Sequence, residues 1–251
     1  ASIVLAGDFE SEIALAMVRS YFEGIPAGLP VDTVKRTAAL DADRRIYLED
    51  RVELPRLYLA WLTPAMYAEG DADLDLATDL LANGKTSRLY RRLVYDERIA
   101  TDVSASQSSR EMSSFVQMSA TAAPGHTLTE IDRAIGEEID ALASGGPTDD
   151  ELDRGRVQAE THFMQRLQTV GGFGGKSDQL NAYNTFLGRP DYFTEDLGRY
   201  ERVTTRSLQQ TAARYLRDGR RVVLSVVPRG RLDLAIAESS AGGLVSAALL
   251  A

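Results

Sequence analysis

The chain contains no cysteine and only two histidines, His126 and His162. The missing cysteines exclude disulfides, thiolate metal sites and thiol nucleophiles together. The scarcity of histidine confines imidazole chemistry to two positions far apart in the sequence. His162 lies in QAETHFMQRL, where Glu160 falls on a different helix face, and neither HxxEH nor HExxH occurs anywhere. His126 precedes a helix start. Both are expected to be surface or cap residues, with no serine or carboxylate partner for nucleophilic catalysis. No apolar run approaches the roughly 18 residues that a membrane span needs. An excess of positive charge is absent too. The net charge of −9 repels polyanions, so a nucleic-acid partner is not expected. The start, ASIVLAGDFE, has neither a basic region nor a long apolar one, so any export signal is expected upstream or not at all.

What is present first suggests phosphate binding. LANGKTSRLYRRLVYDERIATDV, residues 81–103, holds Gly84-Lys85-Thr86 followed by Arg88, Arg91, Arg92 and Arg98. A phosphate loop needs a glycine where Asp79 stands and a strand in front, but a carboxylate repels phosphate and LDLATDLLA reads as helix. The glycine is better read as a left-handed helix end after Asn83, with Thr86 or Ser87 capping the next helix. The arginines, interleaved with Asp96, Glu97 and Asp102, read as a solvated helix face.

Periodicity orders the rest. SIVLA reads as a strand, followed by a helix with Ile13, Ala16, Met17 and Tyr21 on one face. Pro26, Gly28 and Pro30 interrupt the pattern, so residues 25–42 read as a linker. RRIYLED and PRLYLAWLTP are strand-like, the second with Leu57, Leu59 and Trp61 on one face. Helices are predicted over 71–82 and 86–97. The neighbouring antiparallel strands ATDVSASQS and SSFVQMSATAA follow, with Val116, Met118, Ala120 and Ala122 turned to one side. Leu128, Ile131, Ile135, Ile139 and Leu142 then trace a helical stripe whose Thr127 and Glu130 fit a capping box. Thr148 and Glu151 repeat that signal for a helix reaching about residue 168. Gly171-Gly172-Phe173-Gly174-Gly175 breaks it. Helices are predicted at 176–187, 192–201 and 205–217, then a strand, RVVLSVV, and a small-residue tail. Grouped antiparallel strands and runs of helices define an α+β class: an antiparallel-rich sheet covered on one face by helices.

The order of these segments resembles the pitrilysin/insulinase-type, or inverted-zincin, zinc peptidases. It rests on IVLAGDFESEIALAMVRSYFEGIPAG, ELPRLYLAWLTP, LLANGKTSRLYRRLVYDERIATDVSAS, ATAAPGHTLTEIDRAIGEEIDAL, GPTDDELDRGRVQAETHF and RVVLSVVP, in order over nearly the whole chain. The resemblance implies the C-terminal segment of a processing-peptidase-like subunit. Residues 1–24 would be the last strand and helix of an N-terminal peptidase domain, 25–42 the linker, 43–231 the second domain and 232–251 a tail. It implies no cofactor in this chain, with zinc held by the preceding domain of the parent protein, and no catalytic or metal residue here. Implied partners are that preceding domain, a homologous subunit in a heterodimer and an unfolded peptide substrate, in a periplasmic or exported setting. The rival reading is a structural or inactive partner subunit of the same fold. In family members whose second domain grips substrate, an arginine and a tyrosine stand where this chain has Val94 and Thr101. Tyr95 and Arg98 are nearby but displaced.

Overall fold

A computed structural model of the protein describes residues 2–29 and 38–232. The described residues form two compact units: those within 1–36 and 160–197, and those within 37–159 and 198–251.

The larger unit is built on a five-stranded sheet of order β1-β5-β2-β4-β3. Its strands are β1 (Arg44–Asp50), β2 (Arg56–Thr63), β3 (Ala100–Ser108), β4 (Ser114–Ala122) and β5 (Arg221–Pro228). Only β1 and β5 run parallel; the other neighbours are antiparallel. The alternation in β2 sets the orientation of the sheet. Leu57, Leu59 and Trp61 are at most 1% exposed, and they share their face with Val116, Met118 and Ala120 of β4 and Val223 of β5. Against that face pack α2 (Asp71–Ala82), α3 (Leu128–Gly145) and α7 (Thr205–Ala212), which contribute Leu74, Leu76, Leu81, Ile131, Ile135, Leu142 and Leu208 to one core. The expected α+β class, antiparallel-rich and helix-covered on one face, is what the molecule has.

Local chemistry explains the helix starts. Thr127 Oγ1 accepts the Glu130 amide while Glu130 accepts the Thr127 amide, the reciprocal capping box expected there. Thr148 and Glu151 repeat it at the head of α4 (Asp149–Gln168). Gly84 ends α2 at φ 80°, a left-handed position that glycine takes without steric cost, so the glycine of the Gly-Lys-Thr stretch is a corner between helices.

Four sequence expectations need correction. Residues 2–6 form no strand, and none of the sheet's strands among the described residues pairs with them. The segment predicted as a helix over 86–97 is π-helical from Tyr90 to Asp96, and α7 likewise continues as a π-helical turn, Ala213–Arg217. Neither Thr86 nor Ser87 caps that helix; the Ser87 hydroxyl instead donates to the Gly84 carbonyl at 2.7 Å. The arginines are not all a solvated face. Arg88 makes a bidentate pair with Glu151, and Arg92 is ringed by Glu97, Glu137 and Glu138.

The smaller unit contains α1 (Ser11–Phe22), α5 (Lys176–Leu187), the C-terminal part of α4 and the N-terminal part of α6 (Phe193–Glu201). Tyr183 is fully buried and donates to Asp196 Oδ2 at 2.7 Å, and Phe163 meets Phe193 edge-on at 5.6 Å between ring centroids. By contrast α1 buries none of its residues. Residues 30–37 of the expected linker and 233–251 of the expected tail lie outside the described residues. Among the described residues no helix is long and apolar enough to cross a membrane.

Candidate functional site

Side chains alternate along a strand, so the residues between Leu57, Leu59 and Trp61 point away from the helices. Register places Tyr58 beside Leu224 of β5 and Ser119 of β4, Leu224 beside Ile46 of β1, and Ser119 beside Ser104 of β3. This second face grades across the sheet. At the β1–β5 side it is apolar, with Ile46 and Leu48 each 50% exposed and Leu224 half-buried. Toward β3 it becomes polar, through Ser119, Gln117, Asp102, Ser104 and Ser106.

Arg56 stands at the transition. Its guanidinium lies 5.4 Å from the Tyr58 ring centroid, Nη2 donates to Ser119 Oγ at 3.2 Å, and Asp102 Oδ1 is 3.5 Å away. Ser104 and Ser119 share a hydrogen bond of 3.0 Å. The planar cation is therefore held flat along the sheet by an aromatic face and fixed oxygens. A shallow apolar surface with a positioned donor set can take an extended chain along it.

On the helix side, a cavity of about 440 Å³ is lined in part by Arg45, Leu57, His126, Leu128, Asp132 and Ser225. His126 Nδ1 is 3.6 Å from Glu130 Oε2, and the Thr127 backbone amide, accepted by that carboxylate, holds Glu130 below the usual carboxylate range. His126 thus sits at the cap, as expected, but contrary to expectation it has a carboxylate partner in Glu130, one helical turn on, while His162 is exposed on α4. The two belong to different elements. Among the described residues no three His, Asp or Glu side chains converge as a metal site.

Val94 lies in the π-helical segment and packs half-buried against the core. Thr101 is exposed where the β3–β4 register breaks between Ala100 and Asp102, with Oγ1 3.4 Å from the Thr121 carbonyl oxygen. Tyr95 is 71% exposed, and Arg98 has φ 55°. Sequence reading missed Arg56 and Tyr58. Their signal was the i, i+2 spacing in PRLYLAWLTP, read only for the face carrying Leu57, Leu59 and Trp61.

A sheet with one face under helices and the other largely bare is a two-layer α+β arrangement. The chain belongs to the peptidase M16 inactive-domain family, whose pattern matches residues 1–158. It is 22% identical over 232 residues to the zinc protease PqqE of Helicobacter pylori, covering 91% of this chain and 51% of that protein. A crystal structure of a protease from H. pylori superposes with a TM-score of 0.76 at 21% identity, over 89% of this chain and 54% of the other. The peptidase M16 inactive domain from Pseudomonas fluorescens gives 0.75 at 15% identity, over 88% of this chain and 52% of that one. The fold is shared, and the chain spans about half the length of these relatives. The pitrilysin-like resemblance is thereby established at the level of the family.

Proposed function

We propose that this chain is the non-zinc-binding half of a zinc metallopeptidase, and that its open sheet face is one wall of a chamber enclosing an unfolded peptide. The observation carrying this reading is the face itself: Ile46, Leu48, Tyr58 and Leu224 form an apolar strip bordered by Arg56, Ser104 and Ser119. Apolar side chains of an extended peptide would rest on the strip, and its carbonyls would meet Arg56 and the exposed Ser104 hydroxyl, while buried Ser119 holds both in place. Hydrolysis would occur in another domain of the parent protein, where the zinc would be held and would activate water.

Residues 2–22 are proposed to belong to that other domain's sheet and helix layer. Ile3, Leu5, Phe9, Ile13, Met17 and Tyr21 are all at least 45% exposed, an apolar density that surface helices of self-sufficient domains do not carry.

The test is binding of a fluorescent, permanently unfolded peptide, followed by anisotropy. Replacing Tyr58 and Leu224 together by Asp puts two charges on the strip, and affinity is expected to fall about tenfold or more. Circular dichroism and urea unfolding report whether the variant keeps its fold. A folded variant that binds the peptide as well as the parent chain would refute the proposed wall.

A further inference from the structure

The two edges of the sheet are guarded very differently. At the β3 edge the register breaks at Thr101, and Asp102, Ser104 and Ser106 stand exposed, devices that discourage another strand from docking. The β1 edge, RRIYLED, has no proline, glycine or lysine and keeps unbroken register with β5 over all seven residues. All but Tyr47 are exposed, among them Ile46 and Leu48. Among the described residues no strand lies beyond it. Long, regular, partly apolar edges of this kind are templates for a further strand.

The sequence of β1 specifies which strand. Laid antiparallel against a copy of itself with Tyr47 on Tyr47, it sets Arg44 opposite Asp50, Arg45 opposite Glu49 and Ile46 opposite Leu48, and each pair recurs across the two-fold axis. Opposite residues in antiparallel strands share a face, so every charge meets its counter-charge and every apolar residue an apolar one. Moving the register by two residues puts Arg44 against Leu48, and parallel pairing puts Arg44 against Arg44. Only one arrangement satisfies all four charges, and it is a closed, isologous one.

We propose that β1 is a homodimerisation edge, joining two copies through antiparallel β1–β1 pairing centred on Tyr47 into one continuous sheet. Existing contacts leave room for this. Arg45 keeps 44% of its side chain exposed while 3.2 Å from Asp132, and Glu49 accepts the Gly230 amide through Oε1. Arg44 makes no ion pair among the described residues, and Asp50 Oδ1 accepts only the neighbouring Arg51 amide. Arg44 with Asp50 of the second copy is therefore the pair least tied to the rest of the chain. The pairing requires neither peptide nor zinc, so it stands or falls separately from the proposed chamber.

Charge swap tests it by sedimentation velocity up to high micromolar concentration. The unaltered chain is expected to dimerise. Arg44→Glu alone and Asp50→Arg alone each place like charges opposite one another twice, weakening self-association by roughly tenfold or more. Mixed in equal amounts, the two variants regain every opposite-charge pair and are expected to form a one-to-one heterodimer. That recovery separates pairing from damage to the fold. Tyr47→Cys, the only thiol in a chain without cysteine, is expected to give a disulfide-linked dimer under mild oxidation. A monomeric unaltered chain, undiminished self-association of Arg44→Glu, no recovery on mixing, or a Tyr47→Cys variant that stays uncrosslinked would each overturn the proposal.

Discussion

The Tyr200 hydroxyl donates to Asp75 Oδ2 at 2.6 Å, tying the end of α6 to the middle of α2. Asp75 keeps some residue surface in solvent, yet burial of its carboxyl raises its pKa from 3.8 to about 7. Neighbouring Asp71 and Asp79 push it the same way, while the Tyr200 hydrogen bond and Arg199 oppose them. A native pKa above the unfolded one means that the folded state binds the proton more tightly. The resulting stability is fully present below about pH 4 and is lost as pH rises through about 7, each pH unit between costing at most about 1.4 kcal/mol. Asp75→Asn should remove this dependence. Urea unfolding at a series of pH values is expected to show a flatter profile between pH 4 and 7 than the parent chain, with the variant at least as stable at pH 8. An unchanged profile would mean that Asp75 titrates near its ordinary value.

Arg88 and Glu151 make the opposite case. Nε donates to Oε1 at 2.8 Å and Nη2 to Oε2 at 2.7 Å, with both side chains less than one-fifth exposed. The Arg88 hydrogen bond, aided by the Thr148 amide, holds Glu151 down to about 2 against the cost of burial. This stability is present above the unfolded pKa, near 4.5, and is lost as pH falls toward 2. Arg88→Met keeps much of the side-chain volume and removes the charge. It should cost about 1–2 kcal/mol at pH 7, after allowance for solvent screening, and almost nothing near pH 2. Thermal unfolding at both pH values checks this; an equal loss at each would assign the cost to packing.

The Arg88 pair also marks where sequence reading stops. Leu57, Leu59 and Trp61 in β2, the stripe Ile131–Ile135–Leu142 and the capping box at Thr127 were legible because each pattern is local and its spacing repeats with the element that it forms. Arg88 read as solvated because its partner lies 63 residues away, and no local rule joins the two. The π-helical segment at Tyr90–Asp96 escaped because its 7 residues make too few turns for their period to be read from the spacing of apolar positions. SIVLA carries strand propensity, but a strand exists only where a neighbour accepts its hydrogen bonds. The smaller unit joins described residues within 1–36 to those within 160–197, a union that local periodicity does not encode. The open face was half legible: Arg56 and Tyr58 alternate with the core residues, but which side stays bare depends on helices placed elsewhere in the chain.

The last prediction concerns Val94 and Thr101, which stand where the family resemblance expects a substrate-gripping arginine and tyrosine. A valine offers no hydrogen bond, and Val94 is half-buried against the core. Thr101 has a short hydroxyl already within 3.4 Å of the Thr121 carbonyl oxygen and of Asp102 Oδ2. Neither has the reach that gripping a peptide backbone requires. If a homologous subunit supplies the pair, the parent protein should cleave an unfolded peptide slowly by itself and at least tenfold faster when co-expressed with a subunit carrying both residues. Removing arginine and tyrosine from that subunit should abolish the gain while leaving association intact by size-exclusion chromatography. Full activity of the parent protein alone, unmoved by any such subunit, would show that the grip is unnecessary and that Val94 and Thr101 mark only a repacked corner of the fold.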